Sequence, residues 1–225
     1  MIEEENSTFP KESYQSVHCT KASSSDFEIK VDIENEKALY HVIEIQEHST
    51  FTHHREIEID VVNHQLVWKE AGLSLLVVFE RYQNTGRKSY ALIKGAINDG
   101  DIATSWAHDH HNVMVMGRNV NDMVKEQNEI AEKQDGYCVV HNQKLKAFAK
   151  LNVGLGTDGP SSGNTLDLFT QFKMFATFHK NHHHDRSLFP SKEIIELGTI
   201  KGAKCLGIDR TLKKCLSIKE RESIL

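Results

Sequence analysis

Asp158 stands where a carboxylate can do chemistry. It lies in the stretch Asn152 to Gly163, Asn-Val-Gly-Leu-Gly-Thr-Asp-Gly-Pro-Ser-Ser-Gly, where a short apolar strand runs into an acid and then a glycine-rich turn. An acid between a strand and a helix has the address at which (β/α)8 barrels hold their catalytic groups. The helix is predicted to follow at once. Asn164 and Asp167 have capping-box spacing, and Leu168, Phe169, Phe172, Phe175 and Ala176 form one apolar stripe at helical period. The same acid also suits a plainer task, accepting hydrogen bonds from the orphan amides of that helix. The residue pattern leaves both roles open.

Two histidine clusters have metal-ligand chemistry. His108-Asp109-His110 has the His-x-His spacing that can present two imidazoles to one ion. Its alternatives are metal ligation and a polar loop facing a partner domain. His179, His182, His183, His184 and Asp185 combine imidazole with carboxylate, a donor set suited to zinc or nickel. They also follow an amphipathic helix in a Lys-Asn-rich turn, where a solvated connection needs no ion. Gly154, Gly156, Gly159 and Gly163 lack the spacing of a phosphate-binding loop, so they are read as a tight turn.

The elements that must position these groups divide unevenly. Residues 1–26 are polar and serine-rich and are read as a leader. From Phe27 the pattern is strand-like: Leu39 to Ile45, the alternating Glu56 to Val61, Leu75 to Phe79, Ala91 to Ile97 and Val113 to Met116. Asn121 to Lys133 is predicted as a helix that Gly136 could end, and Tyr137 to Val140 as the closing strand. Residues 27–142 are thus expected to form an α+β domain, mainly sheet with a late helix. A strand-helix-helix fragment over 147–209 and a divergent tail over 210–225 complete the division.

With 225 residues, 39% hydrophobic and 26% charged, the chain can bury a core but cannot hold a full barrel as well as this sheet. A net charge of -5 argues against a nucleic-acid binder, which needs a basic face. No apolar run reaches the roughly 18 residues of a membrane span. Cys19, Cys138, Cys205 and Cys215 show no CxxC spacing and the N-terminus is acidic, which points to a cytoplasmic protein with reduced thiols.

Ser105-Trp-Ala-His-Asp-His-His-Asn112, taken with Phe79 to Gly86, Gly95-Ala96-Ile97, Asp101 to Ser105, Val115-Met116-Gly117 and Asp122-Met123, resembles the C-terminal domain of bacterial-type adenine deaminase over about residues 16–142. The family's His-Asp-Ser-His-Asn motif stands at the same place relative to these landmarks. His110 replaces the motif's serine, Tyr82 stands where a histidine usually follows the arginine, and Asp135-Gly136 stands where Gly-Gly is usual. The resemblance implies a substrate-binding loop carrying His108, Asp109, His111 and Asn112.

The segment from Lys150 to Asp209, with Asp158 and the later Gly202-Ala-Lys-Cys-Leu-Gly207, is similar to the barrel end of amidohydrolases of the chlorohydrolase and methylthioadenosine/S-adenosylhomocysteine deaminase group. That resemblance implies that Asp158 binds a divalent metal, manganese, iron or zinc, and takes a proton from the attacking water. The implied reaction is hydrolysis of adenine to hypoxanthine and ammonia. The order of the two pieces differs from that of either relative, so the chain reads as a fusion of two deaminase-related fragments or as a new arrangement. The function is expected to be that of an adenine deaminase-family hydrolase incomplete by itself, or of a non-catalytic interaction module. Its partners would be a purine, a second copy of the chain or a separate barrel subunit, with no nucleic acid and no membrane.

Overall fold

A computed structural model describes residues 15–49, 51–107, 110–150, 154–157 and 166–206. The chain divides into two compact units, one spanning Pro10–Lys150 and one taking in Leu151–Leu225.

The first unit is the expected α+β domain. Its described strands are β1 (Lys37–Ile45), β2 (Thr52–Val62), β3 (Gln65–Leu66), β4 (Ser74–Phe79), β5 (Lys88–Lys94), β6 (Asp101–Thr104), β7 (Val113–Gly117), β8 (Tyr137–His141) and β9 (Lys144–Ala149). They form one sheet in the order β3-β2-β1-β5-β4-β7-β6-β8-β9. Neighbours are antiparallel except β1 and β5, which run parallel through Val42↔Leu92, Ile43↔Ile93 and Glu44↔Lys94. Period-two alternation explains β1 and β2: Ala38, Val42, Ile59 and Val61 turn inward, while Lys37, Leu39, Glu58 and Asp60 stay exposed. Helix α1 (Val120–Lys133) packs against β6, β7 and β8 through Met123 and Ile130, both fully buried. Truncating either to alanine costs about 2–5 kcal/mol, the usual range for a large buried aliphatic side chain.

Sequence and structure differ at several places, among them the strand expected over Ala91 to Ile97, which runs instead over Lys88–Lys94. Residues 15–26 are not a detached leader, because amides on α1 hold them down. Gln134 accepts from the Val17 N–H at 2.9 Å and donates to the Val17 carbonyl at 3.0 Å. The Ala22 N–H donates to both Gln127 and Asn128 at 2.9 Å. Val17 and Phe27 then enter the core. The polar residues that made this segment look solvated conceal one buried anchor at each end.

The helix ends at Lys133 as expected, but the left-handed residue that caps it is Gln134, at φ 64°, and not Gly136. The sheet also does not close at Val140. A two-residue turn at Asn142 and Gln143, both at positive φ, leads into β9, so the unit continues past residue 142. The Asp122 side chain fixes this turn by accepting from the backbone N–H groups of Asn142 at 2.8 Å and Gln143 at 2.6 Å. The short strand β6, missed in the sequence, is buried in the sheet interior between β7 and β8.

The second unit contains α2 (Leu168–His182), α3 (Ser191–Gly198) and α4 (Ile200–Cys205) among its described residues. Asp167, not Asn164, caps α2, accepting from the Phe169 N–H at 3.0 Å and the Thr170 hydroxyl at 2.5 Å. Asn164 lies outside the described residues. Phe172, Phe189, Ile194 and Leu197 form a small core, with Leu168, Phe175 and Ala176 packed against it. Phe169, expected on the same stripe, is 76% exposed. No strand is present among the described residues of this unit. Residues 154–157 form a link in which the Leu155 N–H donates to the Leu197 carbonyl at 2.9 Å.

Candidate functional site

The sheet brings several loops to one end. The register pairs Phe79 with Val113 and Lys88, and Thr104 with Met114 and Tyr137. The β4–β5 loop, the β6–β7 loop carrying Ser105–Asn112, and the α1–β8 link at Asp135-Gly136 therefore share an edge.

Arg81 joins the β4–β5 loop to the β6–β7 loop and to the N-terminal stretch at Ser16. Its guanidinium donates to the Ser105 carbonyl at 2.7 Å and to the Ser16 hydroxyl at 3.3 Å, and its backbone N–H donates to the Asn112 side-chain oxygen at 3.4 Å. Ser105, fully buried, donates from its hydroxyl to Asp135 at 3.0 Å, and that same oxygen accepts from the Gly136 N–H at 3.0 Å. Glu80 organises the β4–β5 loop: its carboxylate accepts from the backbone N–H groups of Tyr82, Gln83 and Thr85 and from the Thr85 hydroxyl. Desolvation pushes the Glu80 pKa up, but these hydrogen bonds outweigh it and hold the acid below its ordinary value.

The β6–β7 loop carries His111 and Asn112 to the surface. His111 adopts φ 49°, a left-handed conformation that a non-glycine residue keeps only when neighbours fix it. Its N–H donates to the Ala107 carbonyl at 2.7 Å, and its ring lies 6.0 Å from that of Trp106. The Asn112 N–H donates to the His110 ring nitrogen Nδ1 at 3.0 Å. The structure thus brings together His111 and Asn112 of the expected substrate-binding set, beside half-exposed Trp106 and Tyr82. His108, Asp109 and Asp158 lie outside the described residues.

The loop's described donors do not form a catalytic metal centre. His110 Nδ1 is engaged by the Asn112 N–H, and the one group of three convergent ligand atoms among the described residues lies elsewhere, on β1 and β2. The second histidine cluster does not converge either. Its rings stack along α2, His179 against Phe175 at 4.4 Å and against His183 at 6.0 Å. Burial, and then the neighbouring His183 and His182, lower the His179 pKa.

The model of the adenine deaminase C-terminal domain matches residues 49–167. The chain belongs to this family. Curated adenine deaminases share the similarity: 40% identity over 155 residues with the enzyme of Lactobacillus delbrueckii, covering 68% of this chain and 27% of that protein. The adenine deaminase 2 of Oenococcus oeni is 40% identical over 154 residues, with the same coverage, and the adenine deaminase of Clostridium perfringens 36% over 143, covering 63% and 25%. The chain spans about a quarter of the length of these relatives. The family match extends past β9 through Asp158 to Asp167.

Within this adenine deaminase C-terminal domain, the three departures from the motif lie at one loop cluster. The Tyr82 hydroxyl donates to the His110 carbonyl at 3.1 Å, and Asp135 accepts from Ser105, whose carbonyl Arg81 holds. The exchanges are therefore structurally linked. Arg81 and Ser105, not singled out as functional from the sequence, are the groups that position this loop. Their signal was present in the landmarks around the motif, but their side chains act on backbone atoms, which spacing does not reveal.

Among the described residues, no helix is long and apolar enough to cross a membrane.

Proposed function

We propose that this chain works as part of an adenine deaminase-type hydrolase, its β6–β7 loop forming one wall of an aminopurine site completed by a metal-bearing barrel. The supporting observation is the match over residues 49–167 combined with the hydrogen bonds that tie Ser105, at the start of the motif loop, to Arg81 and Asp135. Deamination adds water to the purine carbon that bears the amino group and expels ammonia, giving hypoxanthine. That addition needs an activated water and a proton route to the leaving nitrogen. His111 and Asn112 offer a ring nitrogen and an amide for hydrogen bonds to the purine, and Trp106 offers an exposed indole for stacking. A divalent metal, manganese, iron or zinc, would activate the water when bound by the barrel. Asp158 would join its ligands and accept the water's proton.

A second reading is a non-catalytic interaction module. Ammonia release from adenine distinguishes the readings. The purified chain with manganese, iron or zinc is expected to release none above a control without protein, and addition of a barrel subunit is expected to restore turnover. Chelator-sensitive release by the chain alone, abolished in Asp158→Asn, would overturn the incomplete-enzyme reading. No rise on adding a barrel, with no adenine binding, would instead favour the interaction module.

A further inference from the structure

We propose that His41, His54 and Glu56 form a binding site for a divalent transition-metal ion on the exposed face of the β1–β2 ribbon. The antiparallel register places His41 opposite Glu56 and Ile43 opposite His54. Side chains two apart on a strand share a face, so one face receives both imidazoles and the carboxylate. His41 Nδ1 lies 2.7 Å from His54 Nε2 and 3.6 Å from a Glu56 carboxylate oxygen, and the three ligand atoms all fall within 4.8 Å of one another. Bonds of about 2.0–2.1 Å to a tetrahedral ion require donors roughly 3.4 Å apart. Small rotations of exposed rings bridge that difference, because the His41 side chain is 73% exposed and that of Glu56 51%.

The donor set selects the ion. Two imidazoles and one carboxylate suit zinc, nickel, cobalt or copper, whereas calcium and magnesium prefer all-oxygen shells. Three protein ligands leave a fourth position for water. The metal-free form of this geometry is a hydrogen bond between two rings at 2.7 Å, with a carboxylate beside them. An ion replacing that bond cross-links β1 and β2. This site is separate from the β6–β7 loop and needs no barrel.

The test is calorimetric titration of zinc chloride into the full chain, in a His182→Ala/His183→Ala/His184→Ala background that leaves His179 as the one histidine of the second cluster. The expected result is one zinc per chain, with affinity falling at least about tenfold in His41→Ala and in His54→Ala and by less in Glu56→Gln. Zinc should raise the melting temperature of the background protein and leave that of its His41→Ala derivative unchanged. All three side chains are exposed, so zinc-free melting temperatures should match and show that each variant folds. Absence of zinc binding in the background protein, or equal affinity with and without His41, would overturn the proposal.

Discussion

Glu126 gives the first unit a pH dependence that one substitution should remove. Its side chain is fully buried in α1, where one carboxylate oxygen accepts from the Val140 N–H at 2.7 Å and the other has no hydrogen-bond partner. Burial pushes its pKa to about 9, opposed by the Val140 hydrogen bond and reinforced by Asp101 and Asp122. In the unfolded chain the group ionises near 4.5. Between these values the folded protein keeps a proton that the unfolded chain has released, so stability is greatest below pH 4.5 with respect to this group and falls as pH rises toward 9. Each unit is worth about 1.4 kcal/mol, and the loss from pH 5.5 to 8.5 is about 4 kcal/mol. Glu126→Gln keeps the acceptor for Val140 and cannot ionise, so its stability relative to the parent should rise by that amount across the range. Urea unfolding followed by the fluorescence of buried Trp68 measures it at both pH values. Parallel curves for parent and variant would refute the reasoning.

Other perturbations test the remaining structure. Gly117→Ala should destabilise by about 1–3 kcal/mol or more, measured by thermal unfolding, because a Cβ there would lie 1.6 Å from the Asp101 oxygen that caps the β7–α1 turn. Arg81→Met should cost about 1.5–3 kcal/mol, removing the charged donor to the Ser105 carbonyl, and should speed amide exchange in the Ser105–Asn112 loop; unchanged exchange would dissociate Arg81 from the loop. Hydrogen bonds from Arg55 and Lys94 hold the Glu44 carboxyl at about 2, so its contribution to stability is present above pH 4.5 and lost as pH falls toward 2; Glu44→Gln should flatten an acid titration of unfolding there. Limited trypsin digestion should spare Lys144, paired with His141 in β9, and cut first after Lys150, at the division between the units.

The alternating and β-branched runs made β1, β2, β4 and β7 legible, because burial on one face leaves a period of two. Strand β6 was not legible: Asp101–Thr104 is short and begins with an acid, which the fold buries to cap the turn beyond Gly117. The 15–26 segment was obscured for the opposite reason, since its anchors are amides of α1 more than a hundred residues away. For the site, the motif loop was visible from Ser105 to Asn112, but the contact between Tyr82 and His110 joins two loops and leaves no local spacing. The His41, His54 and Glu56 cluster was hidden similarly, because its meaning depends on the β1–β2 register.

The single parallel seam between β1 and β5 separates two folding neighbourhoods. Strands β4 to β9 join largely to partners close in sequence, whereas the β1–β3 ribbon pairs with the rest of the sheet at three positions, adds the Glu44 bridge from Arg55 to Lys94, and buries Ala38, Val42, Ile59, Val61 and Leu66 in the core it shares with β4 and β5. Pairings between residues distant in sequence are slow to form. Freeing the ribbon would therefore undo the burial of those side chains as well as the seam, so the parallel junction is a shared wall of the core and not a hinge.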